Sequence, residues 1–547
     1  MQAMMMHRPL RIIDILTYAV EAWPDQGIIS VRTEGDIHRA CYPETLGRVA
    51  KLSHALESMG INLGDRVATL AWNGYRHFEL YYGASAIGAV CHTINPRLSA
   101  EQLVYIINHA GDRALFIDTT FVPIVEDLRD QLPRELTFVI LTDRAHMPDT
   151  VLDALCYEDL LAPHDQTFDW KEFPEDTASG LCYTSGTTGH PKGALYSHRS
   201  TVLHALMVPT GQTRSFEAGR RVMPVVPLFH VNAWGLPYTA PLRGMTMVMP
   251  GGNLDGASLF RLMDAEKVYS AWGVPTVWAG LLEEIKKQGR VPEEFDDLVV
   301  GGSAAPKVMI EDYEARGVTV SQAWGMTEMS PIGSHGMLPP SLQDAPAADR
   351  IAAKACAGRR LFGVEFKIVD DEGQRQPHDG DARGELYVRG STIIRGYFRN
   401  DAATKAAMDA EGWFGTGDVA SISPEGQLVI RDRAKDLIKS GGEWISSIDL
   451  ENAAVSHPGI LSCAVISIPH PKWDERPILV AVAAGDKRPS LGDLHAHMAP
   501  HFTKWQLPDD VVYVDALPLT ATGKISKLSL REQFADYRLP DLREAQT

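Results

Sequence analysis

The 547-residue chain is 45% hydrophobic and 22% charged, enough apolar sequence for large cores and enough length for more than one globular unit. With 52 Lys and Arg against 70 Asp and Glu, its formal charge of −18 argues against a nucleic-acid or anionic-membrane surface as partner, so an anionic ligand must be held by local groups. The six cysteines, Cys41, Cys91, Cys156, Cys182, Cys356 and Cys463, include no C-x-x-C pair, which fits neither a zinc site nor a disulfide framework and points to a reducing, cytoplasmic setting.

Residues 1–7 are Met-rich, but Arg8, Arg11 and Asp14 interrupt any apolar core, so the segment reads as the lead-in to a helix and not as a signal peptide. Strand-like runs at 66–71, 114–117, 138–141 and 245–249 alternate with helical patterns, the signature of an α/β architecture. The apolar run 80–94 falls short of a membrane span and is expected as a buried helix. Asn95 and Pro96 form a turn, and Ser99 with Gln102 three residues on has capping-box spacing, so a helix is expected to start there. Past the strand-like 384–390, the stretch 432–442 becomes charged and ends in two glycines, which sets an expected boundary at Lys435. That divides the chain into a unit of residues 1–434 and a smaller α+β unit of residues 435–547, with strands at 464–468 and 478–483 and a helix at 491–498.

Residues 183–193 read Tyr-Thr-Ser-Gly-Thr-Thr-Gly-His-Pro-Lys-Gly. Thr184, Ser185, Thr187 and Thr188 supply hydroxyls, Gly186 and Gly189 free the backbone N–H groups, and Lys192 adds a cation, a composition suited to a polyphosphate. It is not a Walker A loop, because Pro191 precedes Lys192 and a glycine, not Ser or Thr, follows it.

The full string resembles the signature of the adenylate-forming superfamily, which includes acyl-CoA synthetases, aryl-CoA ligases, luciferases and peptide-synthetase adenylation domains. Further motifs follow in that superfamily's order, and the resemblance runs from about residue 64 to 527. The stretch 227–235, Pro-Leu-Phe-His-Val-Asn-Ala-Trp-Gly, resembles the acyl-side motif, which places His230, Val231 and Trp234 beside the acid. Gly301 to Pro306 resembles the glycine-rich strand end along the adenine, with Gly302, Ser303, Ala304 and Ala305 against the nucleotide. In Gln322, Ala323, Trp324, Gly325, Met326, Thr327 and Glu328, the resemblance gives Trp324 to the adenine, Thr327 to the α-phosphate and Glu328 to Mg²⁺, joined as a metal ligand by Thr184. Gly302 and Gly325 also border the acid. Asp418 and Arg433 match the ribose contacts, and Lys524, in Leu-Pro-Leu-Thr-Ala-Thr-Gly-Lys, matches the lysine that reaches the reacting carboxylate and α-phosphate.

The fold so implied is a large N-terminal part of two α/β subdomains and a distorted β-barrel, followed by a small mobile α+β domain. The activity implied is an ATP-dependent acid:CoA ligase using ATP, Mg²⁺ and coenzyme A, with Lys524, His230, Glu328 and Lys192 catalytic. In that family the small domain turns at a hinge, here Lys435, bringing Lys439, Ser440, Gly441, Gly442, Glu443 and Trp444 to the CoA side. Asn232 stands where amino-acid-activating relatives carry an Asp, so an amino acid is not the expected acid. The motif around Trp234 is closest to medium- and long-chain fatty acyl-CoA synthetases, in which that Trp resembles a tunnel gate, and the same clade holds 3-methylmercaptopropionate ligases. A luciferase-like adenylate oxidase and a non-catalytic acyl- or nucleotide-binding relative are the rival functions. A homodimer is expected from the long-chain relatives.

Overall fold

A computed structural model describes residues 1, 3–184, 190–211, 214–336, 338–441, 443–520 and 523–540. Two mostly parallel sheets dominate its first four hundred or so residues. In the nine-stranded sheet, Thr246–Met249, Arg221–Pro224, Ser270–Gly273, Asp297–Gly301 and Thr319–Gly325 run parallel, with Gly27–Val31 beside the first of these. The seven-stranded sheet is built on Thr137–Ile140, Asp112–Ile117, Arg66–Leu70, Val90–Thr93 and Ala178–Tyr183, and its edge is the antiparallel Gly193–Ser197. These strands are near-continuous apolar runs because helices cover both faces of each sheet. The third unit, expected as a distorted barrel, is a four-stranded antiparallel meander of Val364–Val369, Gly384–Gly390, Phe414–Ile422 and Leu428–Arg433, with one edge bridged to Gly358.

The expected helix start is present. Ser99 accepts from the Gln102 N–H at 3.3 Å and Gln102 answers to the Ser99 N–H, opening the helix Ala100–Ala110, which Gly111 ends at φ +68°. The run 80–94 is not one helix. Its helix is Tyr75–Ala86, Gly88 turns at φ +78°, and Val90–Thr93 is a strand of the second sheet. Apolar residues alone do not separate a buried helix from a buried strand, and Gly88 was the punctuation that did.

The four-stranded sheet ends at Arg433, and a five-stranded sheet with its own cores begins at Ile438. Its long strands, Ile460–His470 and Asp474–Ala483, bury both faces: Val465 and Leu479 pack toward Leu450 and Leu494, while Ala464, Ile466, Ile478 and Val480 pack toward Leu530. Bonds cross from one unit to the other. The Ser447 N–H and hydroxyl both donate to Asp432 Oδ2, at 2.7 and 2.6 Å, and the Thr276 hydroxyl donates to the Gly523 carbonyl at 3.0 Å. Among the described residues, no helix is long and apolar enough to cross a membrane.

Candidate active site

The parallel strands Asp297–Gly301 and Thr319–Gly325 lie side by side, with Gly301 opposite Ala323, and their carboxyl ends open onto one crevice, the usual place for a ligand in an α/β sheet. Gln322 fixes the turn after Gly301. Its Oε1 accepts from the Ala305 N–H at 2.8 Å while its amide donates to the Ala355 carbonyl, so the stretch through Gly302, Ser303 and Ala304 is held from behind while those three residues remain exposed.

Lys524 reaches this turn from the small unit. A Cβ on Gly302 would sit 3.0 Å from Lys524 Cε, at a backbone φ of +81° that also favours glycine. Burial lowers the Lys524 amine to about 8, reinforced by the Arg433 charge and opposed by Asp418. Burial, together with the charge of Lys524, lowers His230 to about 3, so this imidazole is neutral. Gly302, His230, Asp418, Arg433 and Lys524 therefore share one electrostatic neighbourhood.

Asp418 receives the Trp324 indole N–H at 3.0 Å and pairs with Arg433 Nε at 2.9 Å. Phe366 meets the Trp324 ring edge-on. Burial raises the Asp418 carboxyl, and Arg433 pulls it back down. Glu328, 5% exposed, accepts from the Tyr397 hydroxyl at 2.7 Å; burial raises its carboxyl, against which Tyr397, Arg433 and Lys192 all act. Lys192 lies over the Tyr397 ring with Nζ 5.1 Å from its centre, so Tyr397 links the phosphate-loop cation to the acidic residue. Thr327 is buried, and its carbonyl accepts from the Tyr196 hydroxyl at 2.6 Å.

The phosphate loop joins the antiparallel strands Ala178–Tyr183 and Gly193–Ser197. The Thr184 N–H donates to the Lys192 carbonyl at 2.9 Å, closing the base of the loop, and His190 stacks on Tyr105 at 4.2 Å. Ser185, Gly186, Thr187, Thr188 and Gly189 lie outside the described residues, as does Gly442.

In the stretch expected to border the acid, the backbone is unusual. Val231, Asn232, Ala233 and Trp234 have φ of 44°, 54°, 45° and 58°, and Gly235 follows at 82°, forming one left-handed turn. Such a conformation costs L-residues about 1–2 kcal/mol each. Burial of all five residues and a 3.4 Å bond from the Cys182 thiol to Asn232 Oδ1 hold it in place. The turn lays the Trp234 ring against Gly301, where an added Cβ would stand 2.8 Å from the indole. Gly325 is pressed against the Pro331 carbonyl, leaving no room for a side chain.

Among the described residues, those expected on the CoA side make their contacts within the small unit and not with Lys524. Ile438–Ser440 and Glu443–Ile445 form a hairpin of the small unit, where Lys439 covers Trp444 with Nζ 4.4 Å from the ring centre and the Gly441 N–H donates to the Trp473 carbonyl. Ser440 is buried and accepts from Arg476, so its hydroxyl is spent inside that unit. Lys435 lies between the last strand of one sheet and the first of the next, and burial lowers its amine. Sequence reasoning missed Tyr397, Tyr196 and Thr276. Tyr397, in Gly-Tyr-Phe after a sheet strand, carried the only local signal, a glycine before an aromatic, and that is too common to single it out.

Residues 16–398 match the family described as AMP-binding enzyme, and residues 449–524 match the AMP-binding enzyme C-terminal domain. The chain is 48% identical to a 3-methylmercaptopropionyl-CoA ligase of Ruegeria lacuscaerulensis over 98% of this chain and 99% of that protein. It is 44% identical to a medium-chain-fatty-acid CoA ligase of Ectopseudomonas oleovorans, with 98% of each chain covered. The crystal structure of the anthranilate CoA ligase AuaEII with anthranoyl-AMP superposes with a TM-score of 0.86 at 23% identity, over 97% of this chain and 99% of that one. The chain therefore belongs to the adenylate-forming AMP-binding enzyme family and is an ATP-dependent, AMP-forming acid:CoA ligase, with coenzyme A as co-substrate.

Proposed function

We propose that the ligase acts on a short straight-chain acid of about the size of 3-methylmercaptopropionate, and that its two half-reactions divide between two faces of the small unit. The observation that carries the acid is the position of Trp234, 6% exposed and laid against Gly301, next to the Gly302 turn that Lys524 reaches, so that this end of the crevice is backed by an indole. The relative from Ruegeria supports the same size class. Medium- or long-chain acids, the first expectation from the motif, are the second reading; they need the Trp234 ring to leave Gly301.

In the first half-reaction a carboxylate attacks the α-phosphate of ATP, so two anions must be aligned and their repulsion offset. Lys524, held at the Gly302 turn, serves as the cation between them, and a neutral His230 borders the acid without adding charge. Lys192 and the hydroxyl of Thr184 serve the polyphosphate, Trp324 the adenine, and Asp418 with Arg433 the ribose. Glu328 and Thr184 offer hard oxygen donors of the kind Mg²⁺ takes together with phosphate oxygens. Mg²⁺ would there neutralise the polyphosphate. In the second half-reaction the unit beyond Lys435 turns, Lys524 withdraws, and Gly441, Gly442 and Glu443 approach the thiol side. A cytoplasmic homodimer completes the reading.

The test is pyrophosphate release across straight-chain acids from acetate to palmitate plus 3-methylmercaptopropionate, with and without CoA. The expected result is a maximum at acids of about five chain atoms and CoA-dependent AMP release. A maximum at palmitate, or activity on amino acids alone, refutes the assignment, and CoA-independent turnover with oxygen uptake would favour an adenylate oxidase.

A further inference from the structure

Behind Trp234 the core continues as a line of aromatic rings. Trp272, on the strand Ser270–Gly273, stands 6.4 Å from Trp234 between ring centres, and Phe216 stands 5.4 Å beyond Trp272. Both rings are buried, and side chains alternate along the strand so that Trp272 faces the Trp234 side while Ala271 faces the other core. Phe216 also lines an open surface cleft of about 520 Å³ with Arg214, Glu217, Ala218, Arg243 and Tyr269. Trp234, Trp272 and Phe216 thus make a continuous chain of ring contacts that ends at that cleft.

The two inner rings are fixed by one buried carboxylate. Asp297 Oδ2 accepts from the Ser270 hydroxyl at 2.6 Å, and the Ser270 oxygen accepts the Trp272 indole N–H at 3.1 Å. The same Oδ2 accepts from the Ser215 hydroxyl at 2.5 Å, and Ser215 precedes Phe216 in the chain. A polar anchor of this kind inside an apolar core holds ring orientations that packing alone would leave free to slide. Arg214 pairs with the neighbouring Asp296, tying the rim of the cleft to the same strand.

We propose that Trp272, held by Asp297 through Ser270, is the residue that limits acyl length: it plugs an apolar path from His230 past Trp234 to the cleft at Phe216. The inference rests on the acyl chain leaving His230 toward Trp234, as the proposed function has it. An acid of about five chain atoms ends at the Trp234 and Trp272 rings, whereas each further methylene meets a ring that cannot move without breaking the bond to Ser270. Shortening Trp272 extends the room along the line, and an extra methylene accommodated in an apolar pocket changes the specificity ratio about tenfold or more.

The experiment is a kcat/KM profile for straight-chain acids from butanoate to dodecanoate, measured on the full-length wild type, Trp272→Leu and Phe216→Leu, each checked for folding by circular dichroism and thermal melting. Trp272→Leu is expected to raise the octanoate-to-pentanoate ratio at least tenfold, with Phe216→Leu alone changing it little and the double variant moving the optimum further. If Trp272→Leu does not fold, Ser270→Ala, which removes the indole's acceptor and keeps the ring, is expected to shift the ratio in the same direction by a smaller factor. A wild type selective for short acids whose folded Trp272 and Ser270 variants keep its profile overturns the plug. A wild type that already uses dodecanoate as well as pentanoate overturns the plug and the short-acid reading together.

Discussion

The charge on Lys524 can be tested by pH. A free lysine amine titrates near 10.5, whereas in the closed site Lys524 does so at about 8, mainly because it is buried. At ~1.4 kcal/mol per pH unit, seating the charged amine costs about 3 kcal/mol before any anion arrives. The folded, closed form has the lowered value, so the cation is present below about pH 8 and is lost as pH rises above it. Of the groups facing it, burial raises the Asp418 carboxyl, while His230, lowered to about 3 by burial, is already neutral. The kcat/KM for ATP in the adenylation half-reaction, followed by pyrophosphate release, is therefore expected to fall with an apparent pKa of about 8. In kcat the limb moves upward, because bound phosphates stabilise the ammonium. Lys524→Arg, slow but permanently charged, is expected to lose the limb below pH 10. A wild-type profile flat to pH 9.5, or an arginine variant with an unmoved limb, refutes the reasoning.

Tyr397→Phe removes the hydroxyl that donates to the buried Glu328, a charged hydrogen bond of about 1.5–3 kcal/mol. It is expected to lower kcat/KM for ATP about tenfold or more and to move the acid limb to higher pH, since Tyr397 normally pulls that carboxyl down; an unchanged pH profile in a magnesium titration speaks against the link. Gly302→Ala places a methyl 3.0 Å from Lys524 Cε at φ +81°, so adenylation is expected to fall at least tenfold while the melting temperature drops by only a few degrees, checked by pyrophosphate release beside calorimetry. Ser447→Ala deletes one of two bonds to Asp432 and is expected to slow adenylation while sparing thioester formation from supplied acyl-AMP; equal loss in both assays excludes an orientation effect.

Local chemistry made part of this protein readable in advance. Ser99 and Gln102 announce a helix because their bonds are made within one turn, and the alternating apolar runs announce strands because parallel strands covered on both faces need apolar residues throughout. The same logic failed at 80–94, where burial erased the periodicity that separates helix from strand. The left-handed turn at Val231 to Gly235 could not be read, since three of its five residues, Val231, Ala233 and Trp234, are types that seldom adopt positive φ and the forces that hold them come from Cys182 and the surrounding core. Tyr397 meets Glu328 from 69 residues away, and no spacing rule joins positions that only tertiary packing brings together. Asp297, which anchors Ser270 and Ser215 from 27 and 82 residues away in sequence, was hidden for the same reason.

The last two residues of the strand Leu428–Arg433 show how ligand and domain orientation are wired together. Successive side chains on a strand point to opposite faces. Arg433 pairs with Asp418 on one side, while Asp432 accepts both bonds from Ser447 at the start of the helix Ser447–Val455 in the small unit. Lys527, three residues past Lys524, donates to the same Ser447 hydroxyl and pairs with Glu451 at 2.7 Å. One residue thus pairs with Asp418 and its neighbour holds the unit that carries Lys524, both within three positions of Lys435. A turn at Lys435 would leave Asp432 with its sheet and carry Ser447 and Lys527 away, breaking these bonds at the moment Lys524 leaves Gly302. Asp432 Oδ1 would keep the Arg433 N–H, but the buried Oδ2 would lose both partners, so leaving the orientation with Lys524 at Gly302 carries the cost of an unpaired or rehydrated carboxylate oxygen.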